Sequence, residues 1–203
     1  MSTTPRNEDL FLDVPDFEGD RDPLDRYYTP EWVTMALLNQ FAWMLSEPIW
    51  EPCAGAGHIL DVLKRGGGHV IGSDVEPQRD DISESDFLSS DTDHPSVDWI
   101  ITNPPYRTPD GHKPSDFVRR ALDAARKGVA MLLWQSFLEG CSDRLDLHQT
   151  RPPSHILWLP RFNFIVPGRK DDGPSMMGGW FVWNLRYLDG ATRMYWAGPE
   201  VRP

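Results

Sequence analysis

The chain has 203 residues, 39% of them hydrophobic, which is enough for one domain with a substantial core and too little for two full domains. It contains no apolar run of about 18 residues, and its first residues lack the basic flank and apolar stretch of a signal peptide. We therefore expect a soluble, cytoplasmic protein. The net charge of -11 argues against a uniformly basic nucleic-acid binder.

The charge is distributed unevenly along the chain. Residues 1–26 hold eight acids against three bases, whereas residues 151–203 hold four acids against seven bases. We expect a flexible acidic arm over 1–26 and a single domain over 27–203, in which the C-terminal quarter would meet any polyanion. The two cysteines, Cys53 and Cys141, have no metal-ligand spacing, and nothing in the sequence supports a metal site.

The first part of the domain alternates between helical and strand patterns. Thr29 is a candidate N-cap, Pro30 is suited to the first helical position, and apolar residues then recur at helical spacing. Short apolar runs that stop at polar or glycine-rich turns are typical of buried strands. The predicted elements are a helix over 29–45, a strand over 48–50, a helix over 59–64, a strand over 69–73 and a weak strand around Ile82.

The second part continues this alternation and then becomes rich in strands. We predict a strand over 99–102, a helix over 117–127, a strand over 129–134 and a helix over 138–148. Three apolar runs then follow at 156–159, 180–185 and 194–196, and Trp180 and Trp183 are expected in the core. The alternation up to residue 134 predicts parallel βαβ units. The fold class is therefore α/β and Rossmann-like, a mostly parallel sheet that an antiparallel C-terminal strand closes.

A glycine-rich turn lies between the first predicted strand and the helix that follows it. Gly55 and Gly57 allow the backbone to pass close to a ligand, and the N-terminus of the next helix offers free amides. Asp74 stands at the end of the next strand, where a carboxylate can accept both ribose hydroxyls of a nucleoside-containing cofactor. Together these residues predict a nucleotide-type cofactor site.

The segment NPPY, from Asn103 to Tyr106, follows a buried strand and therefore lies at the carboxyl edge of the same sheet. Pro104 and Pro105 stiffen the backbone and remove two amide donors. An amino group that is methylated needs acceptors for its two N–H bonds, and the Asn103 side-chain oxygen and the Pro104 carbonyl can supply them. Tyr106 can stack on a flat base. We predict that these four residues form the catalytic loop.

With these motifs the chain resembles the S-adenosylmethionine-dependent amino methyltransferases that act on adenine N6, cytosine N4 or, less often, glutamine. NPPY is the form typical of adenine-N6 enzymes, and the motif order is of the gamma type. The resemblance implies S-adenosylmethionine as cofactor and a Rossmann-like class I methyltransferase fold. The cofactor residues that it implies are Tyr28, Thr29, Pro30, Glu51, Cys53, Gly55, Gly57, Asp74, Asp86, Phe87 and Asn103.

Within that family pattern, Cys53 replaces the usual phenylalanine and leaves the cofactor pocket less filled. The resemblance also implies that Asp86 hydrogen-bonds the adenine amino group of the cofactor and that Phe87 packs against its ring. An aromatic residue after the sixth strand stacks on the extruded base in similar enzymes, which makes Phe162 or Phe164 a candidate. His58 is a further candidate cofactor contact.

Adenine in DNA, flipped out of a duplex, is the favoured substrate. Recognition would come from residues 107–115 and 140–179, and Gln135 and Ser136 are candidate pocket residues without a role. RNA and a protein glutamine remain alternatives that suit the acidic surface better. A silent cofactor-binding regulator and an NAD-type oxidoreductase are rivals from other classes, although NPPY would have no explanation in the second. The sequence gives no oligomeric state.

Overall fold

The computed structural model describes residues 26–90, 94–166, 175–187 and 189–198. Almost all of the predicted acidic arm therefore lies outside the described residues. The helices are α1 (Glu31–Phe41), α2 (His58–Arg65), α3 (Pro114–Ala124) and α4 (Leu145–Thr150), with short 3-10 helices at Ala42–Ser46 and Gln135–Leu138. The strands are β1 (Ile49–Glu51), β2 (Val70–Asp74), β3 (Ser83–Glu84), β4 (Trp99–Thr102), β5 (Gly128–Trp134), β6 (His155–Trp158), β7 (Phe162–Asn163), β8 (Ser175–Met176), β9 (Gly178–Asn184) and β10 (Arg193–Trp196).

Eight of these strands form one sheet in the order β10-β6-β9-β5-β4-β1-β2-β3. Strands β1 to β5 pair in parallel, as the alternation of strand and helix predicts. Strand β9 runs antiparallel to both of its neighbours, β5 and β6. The prediction of a mostly parallel sheet with an antiparallel strand is confirmed.

The antiparallel strand is β9, however, and not the last strand of the chain. Strand β10 pairs in parallel with β6 at the edge of the sheet. Strand β6 lies between β9 and β10, and because it is antiparallel to β9 and parallel to β10, β9 and β10 run in opposite directions. The sequence shows each strand but not this order of neighbours.

The core lies on both faces of the sheet. Side chains of β5 alternate between them, with Ala130 and Leu132 packed on the face that α1 and α2 cover. Val129, Met131 and Leu133 pack on the face that α3 and α4 cover. Trp180 and Trp183 of β9 are buried on opposite faces, which confirms their predicted core role.

Some predicted boundaries need correction. Helix α1 begins at Glu31, with Pro30 and not Thr29 as its N-cap residue. Helix α3 begins three residues before the predicted start at 117, because Pro114 suits the first helical turn and the Lys113 amide donates to the Asp116 carboxylate. The predicted helix over 138–148 is present only from Leu145, where α4 begins.

In place of the first part of that helix, a 3-10 turn ends at Leu138 and α4 begins at Leu145. The Arg144 guanidinium donates to the carbonyl oxygens of Phe137 and Ser136, and these bonds hold the chain in a compact loop between the two elements. The predicted recognition segment 140–179 contains α4, β6, β7, β8 and the start of β9. Its residues 167–174 lie outside the described residues. Within the part of the chain that the structure describes, no helix is long and apolar enough to cross a membrane.

Candidate active site

A cavity of about 250 Å³ opens at the carboxyl ends of β1, β2 and β4. In open α/β sheets this edge is where ligands bind. Most of the predicted cofactor residues and three of the four NPPY residues line it. They are Tyr28, Thr29, Glu51, Cys53, Gly55, Asp74, Asp86, Phe87, Asn103, Pro104 and Pro105.

The glycine-rich turn forms the wall between β1 and α2. Gly55 and Gly57 have positive φ angles of 51° and 84°, which favour glycine. Gly57 is the N-cap residue of α2 and does not line the cavity. A Cβ atom at Gly57 would collide with the Arg79 guanidinium, which donates to the Ala56 carbonyl oxygen. The φ angles therefore favour glycine at both positions, and a Cβ atom at Gly57 would also displace the Arg79 guanidinium.

Asp74 is fixed by backbone amides at the end of β2. Its Oδ2 accepts from the Gly55 amide at 2.7 Å, and its Oδ1 accepts from the Glu76 amide at 2.9 Å. Each oxygen retains a further lone pair, so the carboxylate can still accept the two hydroxyls of a ribose. Burial raises the pKa of Asp74, although the two amide bonds oppose that shift.

Glu51 is a buried acid beneath the cavity. Its side chain is 1% exposed, and its Oε2 has no hydrogen-bond partner among the described residues. Burial, and next the nearby Asp74 charge, raise the pKa of Glu51 well above its usual range, while the Leu60 amide lowers it. An unpaired buried carboxyl oxygen that faces a ligand site fits a cationic group, such as an ammonium or a sulfonium.

Cys53, Asp86 and Phe87 line the side of the cavity beyond Asp74. Burial raises the pKa of the Cys53 thiol well above its usual range, so this thiol is a poor nucleophile. The Asp86 Oδ1 accepts from the Leu88 amide at 2.9 Å, which holds the carboxylate at the rim. Phe87 is buried and meets Trp50 edge-on, with ring centroids 5.2 Å apart.

Residues that precede α1 cover the cavity from the other side. The Tyr28 ring stacks on His58 with centroids 4.6 Å apart, and its backbone pairs with Ile165. Burial lowers the pKa of His58, which favours a neutral imidazole. The Thr29 hydroxyl is buried without a hydrogen-bond partner among the described residues. Pro30 is the N-cap residue of α1 and does not line the cavity, and its cofactor contact stays a prediction.

Asn103 is the residue of the NPPY segment whose side-chain oxygen is predicted to bind the methylated amino group. It lines the cavity together with Pro104 and Pro105, beside the glycine-rich turn and Asp74. The Asn103 Nδ2 donates to the Tyr27 carbonyl oxygen at 3.2 Å. The structure thus brings the two halves of the predicted site, the cofactor motif and the NPPY loop, to one cavity.

Tyr106 does not join the other three residues of the loop at the cavity. Its side chain is 8% exposed, and its ring meets Trp134 edge-on with centroids 5.7 Å apart. Phe164 packs against it from a second direction, with centroids 6.4 Å apart. This arrangement does not support the predicted stacking of Tyr106 on a base, because stacking needs an open ring face.

The two candidate base-stacking phenylalanines are also core residues. Phe162 is 4% exposed and Phe164 is 1% exposed, and neither lines the cavity. Phe162 packs edge-on against Trp32, and Phe164 lies between Tyr27 and Tyr106. The structure therefore does not support a stacking role for either. Gln135 and Ser136 do not line the cavity either.

Sequence reasoning missed the part that the loop after NPPY takes in the cavity. Residues 107–115 are predicted as a recognition loop, yet Thr108, Pro109, Asp110 and His112 line the same cavity as the cofactor motif. Direct continuity with the NPPY segment is the signal that could have placed them there. Tyr27 was also missed, and no sequence pattern points to a backbone carbonyl. The described residues contain no group of three or more His, Cys, Asp or Glu side chains that could hold a metal ion.

Comparison with known proteins identifies the fold. No family model and no curated protein sequence matches the chain. Among solved structures, a candidate RNA methyltransferase from Pyrococcus horikoshii is 13% identical with a TM-score of 0.61, over 86% of this chain and 92% of that one. A candidate class I S-adenosylmethionine-dependent methyltransferase from Listeria monocytogenes is 14% identical with a TM-score of 0.62, over 91% and 70%.

A third similar structure is the modification subunit of a candidate type I restriction enzyme from Vibrio vulnificus. It is 15% identical with a TM-score of 0.59, and the match covers 94% of this chain but only 50% of that subunit. At such low identities the comparisons establish the architecture alone. The chain has the mixed α/β, Rossmann-like fold of these class I methyltransferases.

Proposed function

We propose that this protein is an S-adenosylmethionine-dependent methyltransferase that methylates the N6 amino group of adenine in DNA. The observation that carries the proposal is the meeting of Asn103, Pro104 and Pro105 with the glycine-rich turn and Asp74 in one cavity. The cofactor site lies beside two carbonyl-type acceptors, the Asn103 side-chain oxygen and the Pro104 carbonyl. This arrangement suits transfer of a group from a nucleoside cofactor to an amino nitrogen. The similar structures, which include class I methyltransferases, support this choice of cofactor.

The polar groups of the cavity fit S-adenosylmethionine. Asp74 offers both carboxylate oxygens to a ribose, and Asp86 at the rim can accept from an adenine amino group. Glu51, whose Oε2 is buried and unpaired, fits the positive methionine end. When bound, the cofactor would supply the methyl group of its sulfonium for direct transfer. Asp74, Asp86 and Glu51 then serve to hold and orient it beside Asn103.

Asn103 and Pro104 would bind the nitrogen that is methylated. The Asn103 side-chain oxygen and the Pro104 carbonyl can accept the two N–H bonds of an amino group. These hydrogen bonds draw the nitrogen toward tetrahedral geometry and direct its lone pair to the methyl donor. With S-adenosylmethionine bound, Asn103 and Pro104 would hold this nitrogen in line with the methyl group that the cofactor would supply, and the proton that the nitrogen loses would pass to solvent.

DNA is proposed as the carrier of the adenine, although the net charge of -11 is unfavourable for it. A base in a duplex must be flipped into the cavity, at a cost of a few kcal/mol. Thr108, Pro109, Asp110 and His112 of the segment 107–115 line the cavity, and this segment is proposed to contact the target strand. RNA and a glutamine side chain remain alternatives, because the same acceptors would bind their amino groups.

The test is a comparison of Asn103→Ala with Asn39→Ala, which changes an exposed residue of α1. We expect Asn103→Ala to reduce methyl transfer to duplex DNA at least 100-fold, by analogy with the loss of one transition-state hydrogen-bond donor. Calorimetric binding of S-adenosylmethionine should remain, and Asn39→Ala should match the wild type. Unchanged transfer by Asn103→Ala would exclude the proposed role.

A further inference from the structure

The Tyr106 hydroxyl has three possible acceptors, which are two oxygens and the Met176 sulfur at 3.9 Å. The hydroxyl is 3.1 Å from Asn103 Oδ1 and 3.0 Å from the Leu132 carbonyl oxygen. A tyrosine hydroxyl has one proton to donate, so it can satisfy only one of these oxygens at a time. Leu132 is a residue of β5 in the middle of the sheet, and its backbone cannot move away.

The contacts of Asn103 fix the orientation of its carboxamide. The Tyr27 carbonyl can only accept, so the Asn103 Nδ2 must face it, at 3.2 Å. Oδ1 then faces the Tyr106 hydroxyl. The Asn103 carboxamide is therefore held by the Tyr27 carbonyl on its nitrogen side and by the Tyr106 hydroxyl on its oxygen side. One lone pair of Oδ1 remains for an incoming amino group.

We propose that Tyr106 is a positioning residue, whose hydroxyl orients the Asn103 carboxamide and gives up this bond when the target amine arrives. This inference rests on the proposed function. In the free protein Tyr106 donates to Asn103 Oδ1 and keeps that oxygen directed for catalysis. When the amine donates to the same oxygen, the Tyr106 proton turns to the Leu132 carbonyl without movement of the ring. In the first state the Leu132 carbonyl is without this donor, and in the second state Asn103 Oδ1 accepts from the amine instead of from Tyr106.

The packing of Tyr106 supports this role over base stacking. Trp134 and Phe164 contact the ring, the side chain is 8% exposed, and Tyr106 is not among the residues that line the cavity. Only the hydroxyl reaches toward the site, through Asn103. Tyr106→Phe removes that hydroxyl and keeps the buried ring, so it separates positioning from packing.

The first experiment observes the Asn103 side-chain amide by 15N NMR, with Asn103→Ala to assign its signals. Tyr106→Phe should shift or broaden this proton pair and leave the backbone amides far from the loop unchanged. The matched control is Tyr195→Phe, a partly buried tyrosine of β10 that packs on Phe41. An unshifted Asn103 amide in Tyr106→Phe would overturn the inference. This readout needs no methyl acceptor.

The second experiment measures transfer to DNA. Tyr106→Phe should lower kcat about fivefold to tenfold, as expected for one hydrogen bond, with KM for DNA and cofactor affinity within twofold of the wild type. On an Asn103→Ala background Tyr106→Phe should lower kcat no further. If Tyr106 had only a structural role, the kcat losses of the two variants would multiply. Full kcat in Tyr106→Phe, with a raised KM in Tyr106→Leu, would overturn positioning in favour of stacking. Wild-type protein that methylates no DNA would instead refute the proposed function, and the NMR result would still decide the inference.

Discussion

Asp74→Asn is the sharpest test of the cofactor site, because it replaces one carboxylate oxygen with an NH2 group of nearly equal size. The charge is lost, and the new NH2 group can accept neither from a ribose hydroxyl nor from the backbone amide that the replaced oxygen now binds. A hydrogen bond to a charged group contributes about 1.5–3 kcal/mol, so the Kd for S-adenosylmethionine should rise about 10- to 150-fold. Isothermal titration calorimetry measures this change directly.

The matched control for that variant is Asp80→Asn, which removes the same charge from an exposed position. It should leave the Kd within about twofold of the wild type. Because burial raises the pKa of Asp74, the affinity of the wild type should begin to fall at a higher pH on acidification than an ordinary aspartate predicts. Asp74→Asn should lack the part of this dependence that Asp74 contributes and keep the part that comes from Glu51, whose pKa is also raised. Equal Kd values for the two variants would refute the ribose assignment.

Three further predictions concern stability, measured by urea unfolding. Burial raises the pKa of Glu51, so the unfolding free energy of the free protein should fall as pH rises from the ordinary glutamate pKa of 4.5 through the raised pKa. Glu51→Gln should remove that fall. Parallel pH profiles of the variant and the wild type would contradict this prediction. Gly57→Ala should destabilise more than Gly67→Ala, since both have positive φ but only a Cβ at Gly57 meets Arg79; equal losses would count against this packing. Phe164→Ala should cost about 3–5 kcal/mol, far more than the half-exposed Tyr187→Ala, whereas a wild-type midpoint would show that Phe164 is not core.

The parallel half of the sheet was predictable because its signals are local. The buried run of β4 stops at Asn103, and β2 stops at Asp74. The carboxyl ends of parallel strands share one edge, so the meeting of these two residues followed from the pattern alone. The glycine-rich turn was predictable for the same reason, because a positive φ angle selects for glycine.

The remainder depends on contacts between residues distant in sequence. An NPPY motif does not state which way its tyrosine faces, and Tyr106 turns inward because Trp134, Phe164 and the Leu132 carbonyl receive it. The same holds for Phe162, whose neighbour Trp32 lies 130 positions earlier. The parallel pairing of β10 with β6 is likewise set by the neighbours in the sheet, and not by either strand's own residues.

The central claim is that an adenine amino group enters the cavity beside Asn103. Its most direct test incubates the protein with labelled S-adenosylmethionine and duplex DNA, RNA or protein, and then identifies the methylated product by mass spectrometry after digestion. We expect label in N6-methyladenine from DNA, which Asn103→Ala abolishes and Asn39→Ala does not. Label in RNA or in a glutamine, or in none of the three, would contradict it.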